Sequence, residues 1–274
     1  MGQRLKLLPF NNVVANGVAT LDLNNLLGYT IERMTFVLSG TALTKAMLTS
    51  IQLKANGKII WDSTGARQDA RMQYRGISAA AGFLTIDFSE VRSKTELGQS
   101  LGAIDTTVGM QNLKLELTIT GATAPAIQGY AEVSRPQVDG AELATRNLIA
   151  RIHSTTITIG AAGTFSLPIP HVEVSSGGSL FKRWAIFSAN MTGLLIKKNG
   201  IVIEENTKAL NDFSQLEYRK VPQAGLFMQD FIVDDNQSQI LNTRNAQTME
   251  ILGTFSAGET ITIESEVLEP LDAF

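Results

Sequence analysis

The stretch Leu53-Lys54-Ala55-Asn56-Gly57-Lys58-Ile59-Ile60 returns as Ile196-Lys197-Lys198-Asn199-Gly200-Ile201-Val202-Ile203, a shift of 143 residues from Asn56 to Asn199. Asn-Gly between apolar runs specifies a tight β-hairpin. Both central residues of its turn need φ > 0, which Asn tolerates and Gly adopts freely. The surroundings repeat with it. Asp87-Phe88 closes an apolar run from Phe83, and Asp230-Phe231 closes one from Leu226, again 143 apart. A stretch of helical character ending in Tyr74-Arg75 or Tyr218-Arg219 precedes each run. Leu115-Glu116-Leu117 answers Met249-Glu250-Ile251, and Glu132-Val133 answers Glu266-Val267 at an offset of 134, so one loop of the second copy is about nine residues shorter, a cheap change of length. Four colinear matches imply a duplicated module.

Each module reads as a succession of short strands. In the first they fall near 18–23, 31–39, 49–55, 58–62, 83–88, 104–108, 112–120 and 127–134, with a short helix over 66–75. Leu113, Leu115, Leu117 and Ile119 alternate with Lys114, Glu116, Thr118 and Thr120, the period of a strand with one buried face. In the second they fall near 155–159, 163–169, 183–189, 193–197, 201–204, 226–233, 247–254 and 260–267, with a helix over Lys208–Lys220. Leu210, Phe213 and Leu216 form a stripe on that helix, read as core packing. Eight strands per module suit a sandwich or a jelly roll. The expected divisions are an N-terminal arm over 1–17, a first barrel over 18–135, a linker helix over 136–152, and a second barrel with its tail over 153–274. Asp139-Gly140 supplies a cap for that helix, which would act as a stiff spacer.

Composition narrows the function. There are no cysteines, which excludes disulfide frameworks and thiolate chemistry. The only histidines, His153 and His171, stand 18 residues apart and do not form the clustered ligand set of a metallo-cupin. No Gly-x-Ser-x-Gly elbow and no phosphate-binding loop is present, and Asp87 and Asp230 are repeat-equivalent and therefore read as structural, leaving no catalytic carboxylate pair. The chain is read as a non-enzyme. No stretch approaches the roughly 20 apolar residues of a membrane-spanning helix. The net charge of −3 argues against direct nucleic-acid contact. Residues 1–140 carry 13 basic and 11 acidic side chains (+2), residues 141–274 carry 10 and 15 (−5), a split that suits pairing with further copies or solvation of the C-terminal surface. Charged residues make up only 18% of the chain, consistent with extensive burial against other subunits or with a large ordinary β protein. Asp234-Asp235, with Asp230 upstream, offer either oxygen ligands of the kind calcium accepts or plain surface acidity.

In its order of parts the chain resembles the double jelly-roll major capsid proteins of tailless, membrane-containing bacterial viruses, the corticovirus type above all. The resemblance rests on Pro9-Phe10-Asn11-Asn12-Val13-Val14-Ala15 leading into Ala19-Thr20-Leu21-Asp22-Leu23, on the Lys54–Ile60 hairpin followed by a short helix, and on a terminal Phe274. It implies an all-β double jelly roll and pseudohexameric trimers that tile an icosahedral shell around an internal membrane. The implied partners are the chain itself, minor capsid and vertex proteins, and lipid reached through the N-terminal arm. The implied locations are the virion and, during assembly, the host cytoplasm. Arg4, Lys6, Phe10 and Phe274 are the expected interface residues. No cofactor is expected beyond a structural calcium, with Asp234 and Asp235 as its ligands. The rival reading is a carbohydrate-binding tandem β-sandwich, as in a viral spike or adhesin.

Overall fold

The structure is a computed structural model that describes residues 2–77, 80–90, 92–93, 95–107, 109–134, 148–172 and 178–270. Its elements, in chain order, are β1 (Gln3–Lys6), β2 (Gly17–Asp22), β3 (Thr30–Ala42), β4 (Leu48–Ala55), β5 (Lys58–Ser63), α1 (Gly65–Tyr74), β6 (Phe83–Asp87), α2 (Glu96–Ser100), β7 (Ile104–Asp105), β8 (Leu113–Ile119) and β9 (Thr123–Ser134). There follow β10 (Leu148–Ile159), β11 (Gly163–Ser166), β12 (Leu180–Phe187), β13 (Met191–Lys198), β14 (Ile201–Thr207), α3 (Lys208–Glu217), β15 (Leu226–Asp230), β16 (Leu241–Asn242), β17 (Met249–Phe255) and β18 (Glu259–Pro270). They divide into two compact units. His153–Leu268 together with Tyr74–Gly76 form the second, and the remaining described residues form the first.

The first unit is a jelly roll of two antiparallel sheets, ordered β1-β9-β3-β6 (with β7 also on β3) and β2-β8-β4-β5. Neighbours in space are far apart in sequence, the signature of strands wound as a rolled hairpin. Its core is built from inward alternating positions, among them Leu21, Phe36, Leu53, Trp61, Leu115, Leu117 and Val133. The second unit repeats the plan strand for strand, as β10-β18-β12-β15 (with β16 on β12) and β11-β17-β13-β14. Its core gathers Phe181, Trp184, Ile196, Phe227, Ile251, Ile263 and Val267.

The repeat holds down to irregularities. Asn56 and Gly57 adopt φ 48° and 82°, Asn199 and Gly200 adopt 53° and 78°, the left-handed pair of a hairpin turn. In each hairpin the register slips once, between Leu53 and Lys54 and between Ile196 and Lys197, positions 143 apart. The Asn side chains fasten these turns to the neighbouring loop. Asn56 Oδ1 accepts from the N–H groups of Gln111 and Asn112, and Asn199 Oδ1 accepts from those of Gln247 and Thr248.

Two expected divisions change. The segment read as an arm begins with β1, which pairs with β9 and is the topological counterpart of β10. Leu7 and Phe10 are buried in the core of the first unit, so the barrel starts before residue 18. Of the expected linker helix over 136–152, residues 136–147 lie outside the described residues. Residues 148–152 open the strand β10, whose alternation from Ile149 to Ile159 overrides the helix-favouring Leu and Ala in the sequence.

Candidate functional site

Each unit carries a charge cluster on the same plan, partly buried in the first and buried in the second. In the first, Arg33 faces Asp87 across the β3–β6 pair and Glu132 across the β3–β9 pair. Its guanidinium lies 2.9 Å from Asp87 and 3.8 Å from Glu132. In the second, Arg183 faces Asp230 on β15 and Glu266 on β18, at 3.0 and 3.3 Å. A β-bulge immediately precedes each arginine, at Ile31/Arg33 and at Phe181/Arg183, so the extra residue turns the arginine toward both acidic neighbours. Asp87 and Asp230 also accept the backbone N–H two residues on, from Ser89 and Ile232. Removing Arg183 would leave the buried Asp230 without its counter-ion, at a cost of about 3–5 kcal/mol, whereas Glu266 would keep Lys182 at 2.8 Å. The cluster therefore fixes strand register. In the second unit, the Tyr74 hydroxyl donates to Asp230 at 3.0 Å. Burial, together with the negative charge of Asp230, pushes the Tyr74 hydroxyl pKa well above its ordinary value.

The helices are docked by amides in both units. Gln68 Nε2 of α1 donates to the backbone carbonyl of Thr85 at 2.8 Å, and Asn211 Nδ2 of α3 donates to that of Met228, also at 2.8 Å; both pairs are related by the 143-residue shift. Thr64 and Thr207 cap the two helices by accepting from Arg67 N and Leu210 N.

Beyond this shared plan the helices differ. The buried residues of α3 are Asn211 and Gln215, which both bond the Met228 carbonyl. The stripe expected to be core points the other way: Leu210, Phe213 and Leu216 are 54%, 59% and 59% exposed. The helix is amphipathic with its polar face inward. Ile201, Val202 and Ile203 of the adjoining edge strand β14, with Tyr218 and Val221 beyond the helix, are also exposed. Exposed large apolar side chains concentrated on a helix and its adjoining edge strand are of the kind that interaction sites use. The sequence showed the stripe, and the polar pair at i, i+4, equivalent at Asn211 to Gln68, was the available sign of which face turns inward.

The other expected site residues are scattered. Arg4 pairs with Glu132 of its own sheet at 2.5 Å while remaining mostly exposed, and Lys6 is exposed on the same strand. Phe10 is buried edge-on against Phe36, ring centroids 5.9 Å apart, so its side chain belongs to the core and not to a free surface. Phe274 lies outside the described residues. Asp235 pairs with Lys220 at 2.6 Å, and Asp234 accepts from Asn236 N and from Gln239. No group of three or more His, Cys, Asp or Glu side chains suited to a metal occurs among the described residues. The two histidines, separate in the sequence reading, are neighbours, with ring centroids 4.3 Å apart.

Two jelly rolls in tandem, each pairing a five-stranded with a four-stranded sheet and carrying a register cluster in the equivalent place, define the double jelly-roll class of viral capsid protein. Solved structures of that class align over nearly the whole chain. The major capsid protein P2 from bacteriophage PM2 is 18% identical with a TM-score of 0.86, covering 98% of both chains. The structure of Sulfolobus Turreted Icosahedral Virus gives 13% and 0.68, covering 97% of this chain and 90% of that one. The PBCV-1 virus capsid gives 11% and 0.61, covering 98% and 93%. No curated protein matches by sequence. The family models for the viral coat protein P2 N-terminal domain and C-terminal domain match residues 4–134 and 149–271. The chain belongs to this viral coat protein family, and it is a major capsid protein, a component of the virion shell.

Proposed function

We propose that three copies of this chain form a pseudohexameric trimer, that these trimers tile an icosahedral shell over an internal membrane, and that the outward apolar face of α3 with strand β14 is a contact between copies. The observation that carries this reading is the inverted helix. A structural protein that self-assembles gains from an apolar surface that a solitary one must hide, and a second copy is the occupant a capsid always supplies. The opposite charges of the two halves of the sequence favour the same occupant by steering one half of a copy toward the other half of the next. The role is structural, with no catalysis. Assembly in the host cytoplasm, docking of minor and vertex proteins, and lipid contact through the basic Lys6 and Arg4 belong to the same proposal.

Native mass spectrometry and sedimentation test it. Phe213→Asp and Leu216→Lys are expected to shift trimer toward monomer while moving the urea midpoint of the isolated chain very little, because exposed substitutions usually stay within about 0.5 kcal/mol. Trimers that persist unchanged in both variants would remove α3 from the contact.

A further inference from the structure

The chain has two histidines in 274 residues, 18 positions apart, and the fold sets them side by side, with ring centroids 4.3 Å apart. Both belong to the second unit. His153 is half-buried on β10, and His171 is exposed in the segment that follows β11. That segment is fixed where it carries His171. The Leu167 N–H donates to the Ile251 carbonyl at 2.9 Å, and Leu167, Ile169 and Val172 are buried in the core of the unit. Pro168 and Pro170 restrict the backbone between them. His171 itself is held at φ 60°, in the left-handed region that few residues other than glycine enter. Its ring is therefore presented to His153 by a rigid frame, not by a freely moving loop.

The separation suits a shared metal ion. Two imidazoles that ligate one ion at about a right angle, through bonds of about 2.0–2.1 Å, hold their ring centres roughly 4.5 Å apart. The ring planes are inclined by 40°, so the pair is not stacked flat. An imidazole ligates through one nitrogen and keeps the other for a hydrogen bond that fixes its tautomer. Imidazole suits copper, nickel and zinc, whereas calcium and magnesium take oxygen ligands, and right-angled geometry favours copper and nickel. We propose that His153 and His171 chelate one divalent transition-metal ion, copper or nickel ahead of zinc, with water completing its coordination. Two ligands already fixed in place lose little freedom on binding, which offsets in part the lack of a third among the described residues. The bound ion links β10 to the segment after β11 within one chain.

Calorimetric titration of the full-length chain with copper, nickel and zinc chlorides tests the assignment. One copper or nickel ion is expected to bind per chain, and zinc more weakly than copper. His153→Gln and His171→Asn are each expected to weaken copper binding at least tenfold, with melting curves showing that both variants remain folded. Asparagine is chosen at position 171 because it tolerates the left-handed backbone without supplying an imidazole. The copper-loaded chain is expected to give the electron paramagnetic resonance signature of two coordinated imidazole nitrogens. Unaltered affinity in either variant, a one-nitrogen spectrum, half an ion per chain, zinc bound more tightly than copper, or no binding of copper or nickel at millimolar concentration would each overturn it. Phe213→Asp, on α3, should bind copper as the unmodified chain does, so the outcome is independent of the assembly contact.

Discussion

Glu259 shows how much a single carboxylate does at a barrel corner. It stands at the start of β18 and receives the Ser188 hydroxyl and the backbone N–H groups of Ala189 and Asn190, the last two at 3.1 and 2.9 Å. These are the residues of the turn between β12 and β13, where the chain leaves one sheet for the other. Burial raises the Glu259 pKa, but the hydrogen bonds from Ser188, Asn190 and Ala189 together outweigh it and leave the pKa lowered. The sign of the pH dependence follows. A carboxyl group with a depressed folded-state pKa adds stability above its unfolded value and loses it as pH falls through the folded value. Glu259→Gln keeps the shape and removes the charge, so it is expected to cost about 1–2 kcal/mol in urea denaturation at pH 7. The difference should fade as the solution is acidified and the unmodified side chain becomes neutral too. A cost that stays constant from pH 7 to pH 3 would mean that shape, and not charge, holds the turn.

At the scale of elements, the two helices answer the same structural need with different chemistry. Each must satisfy a carbonyl on a sheet-edge strand, and each does so with an amide one turn into the helix. Gln68 has further duties: its Oε1 accepts from Trp61 Nε1 at 3.1 Å and from Arg71, whose guanidinium also lies over the Trp61 ring. Asn211 shares its carbonyl with Gln215. Gln68→Ala therefore strands several buried groups and is expected to cost about 2–3 kcal/mol, against about 1 kcal/mol for Asn211→Ala, read from chemical denaturation; equal costs would show that the Trp61 bond contributes nothing. The hairpins were legible because Asn-Gly constrains the backbone locally and nothing distant competes. The stripe on α3 was legible as a stripe but misassigned, since periodicity identifies a face without saying which solvent it meets. The charge clusters were half legible. Asp87 and Asp230 stood out as repeat partners, but Arg33 and Arg183 are 150 apart instead of 143, and only the strand register brings them onto the same carboxylates. The nearness of His153 and His171 had no signal in the sequence, because it depends on where a loop returns.

For the molecule as a whole, duplication explains why the N-terminal segment matters. A jelly roll needs a strand on the outer side of β9 for the same reason that the second unit needs β10 beside β18, and β1 fills that place with only four residues. Four alternating residues followed by Leu7, Leu8 and Pro9 are too short a signal to separate a strand from an apolar arm, which is why the sequence alone places them outside the barrel. The two readings predict different consequences of truncation. An arm could be removed with loss of assembly alone. As the structure has it, deleting residues 2–6 removes an edge strand and the Arg4–Glu132 pair, a modest loss because surface ion pairs contribute at most about 1 kcal/mol. Deleting residues 2–10 also takes Leu7 and Phe10 out of the core, at about 1.5–3 kcal/mol for each buried side chain. Urea midpoints of the two truncated chains should therefore step down sharply between the first deletion and the second. Assembly should then decline with the stability of the first barrel, because a contact surface is only as well defined as the sheet that carries it. If both truncations unfold at the midpoint of the full chain while assembly alone fails, β1 acts between subunits and not within the barrel.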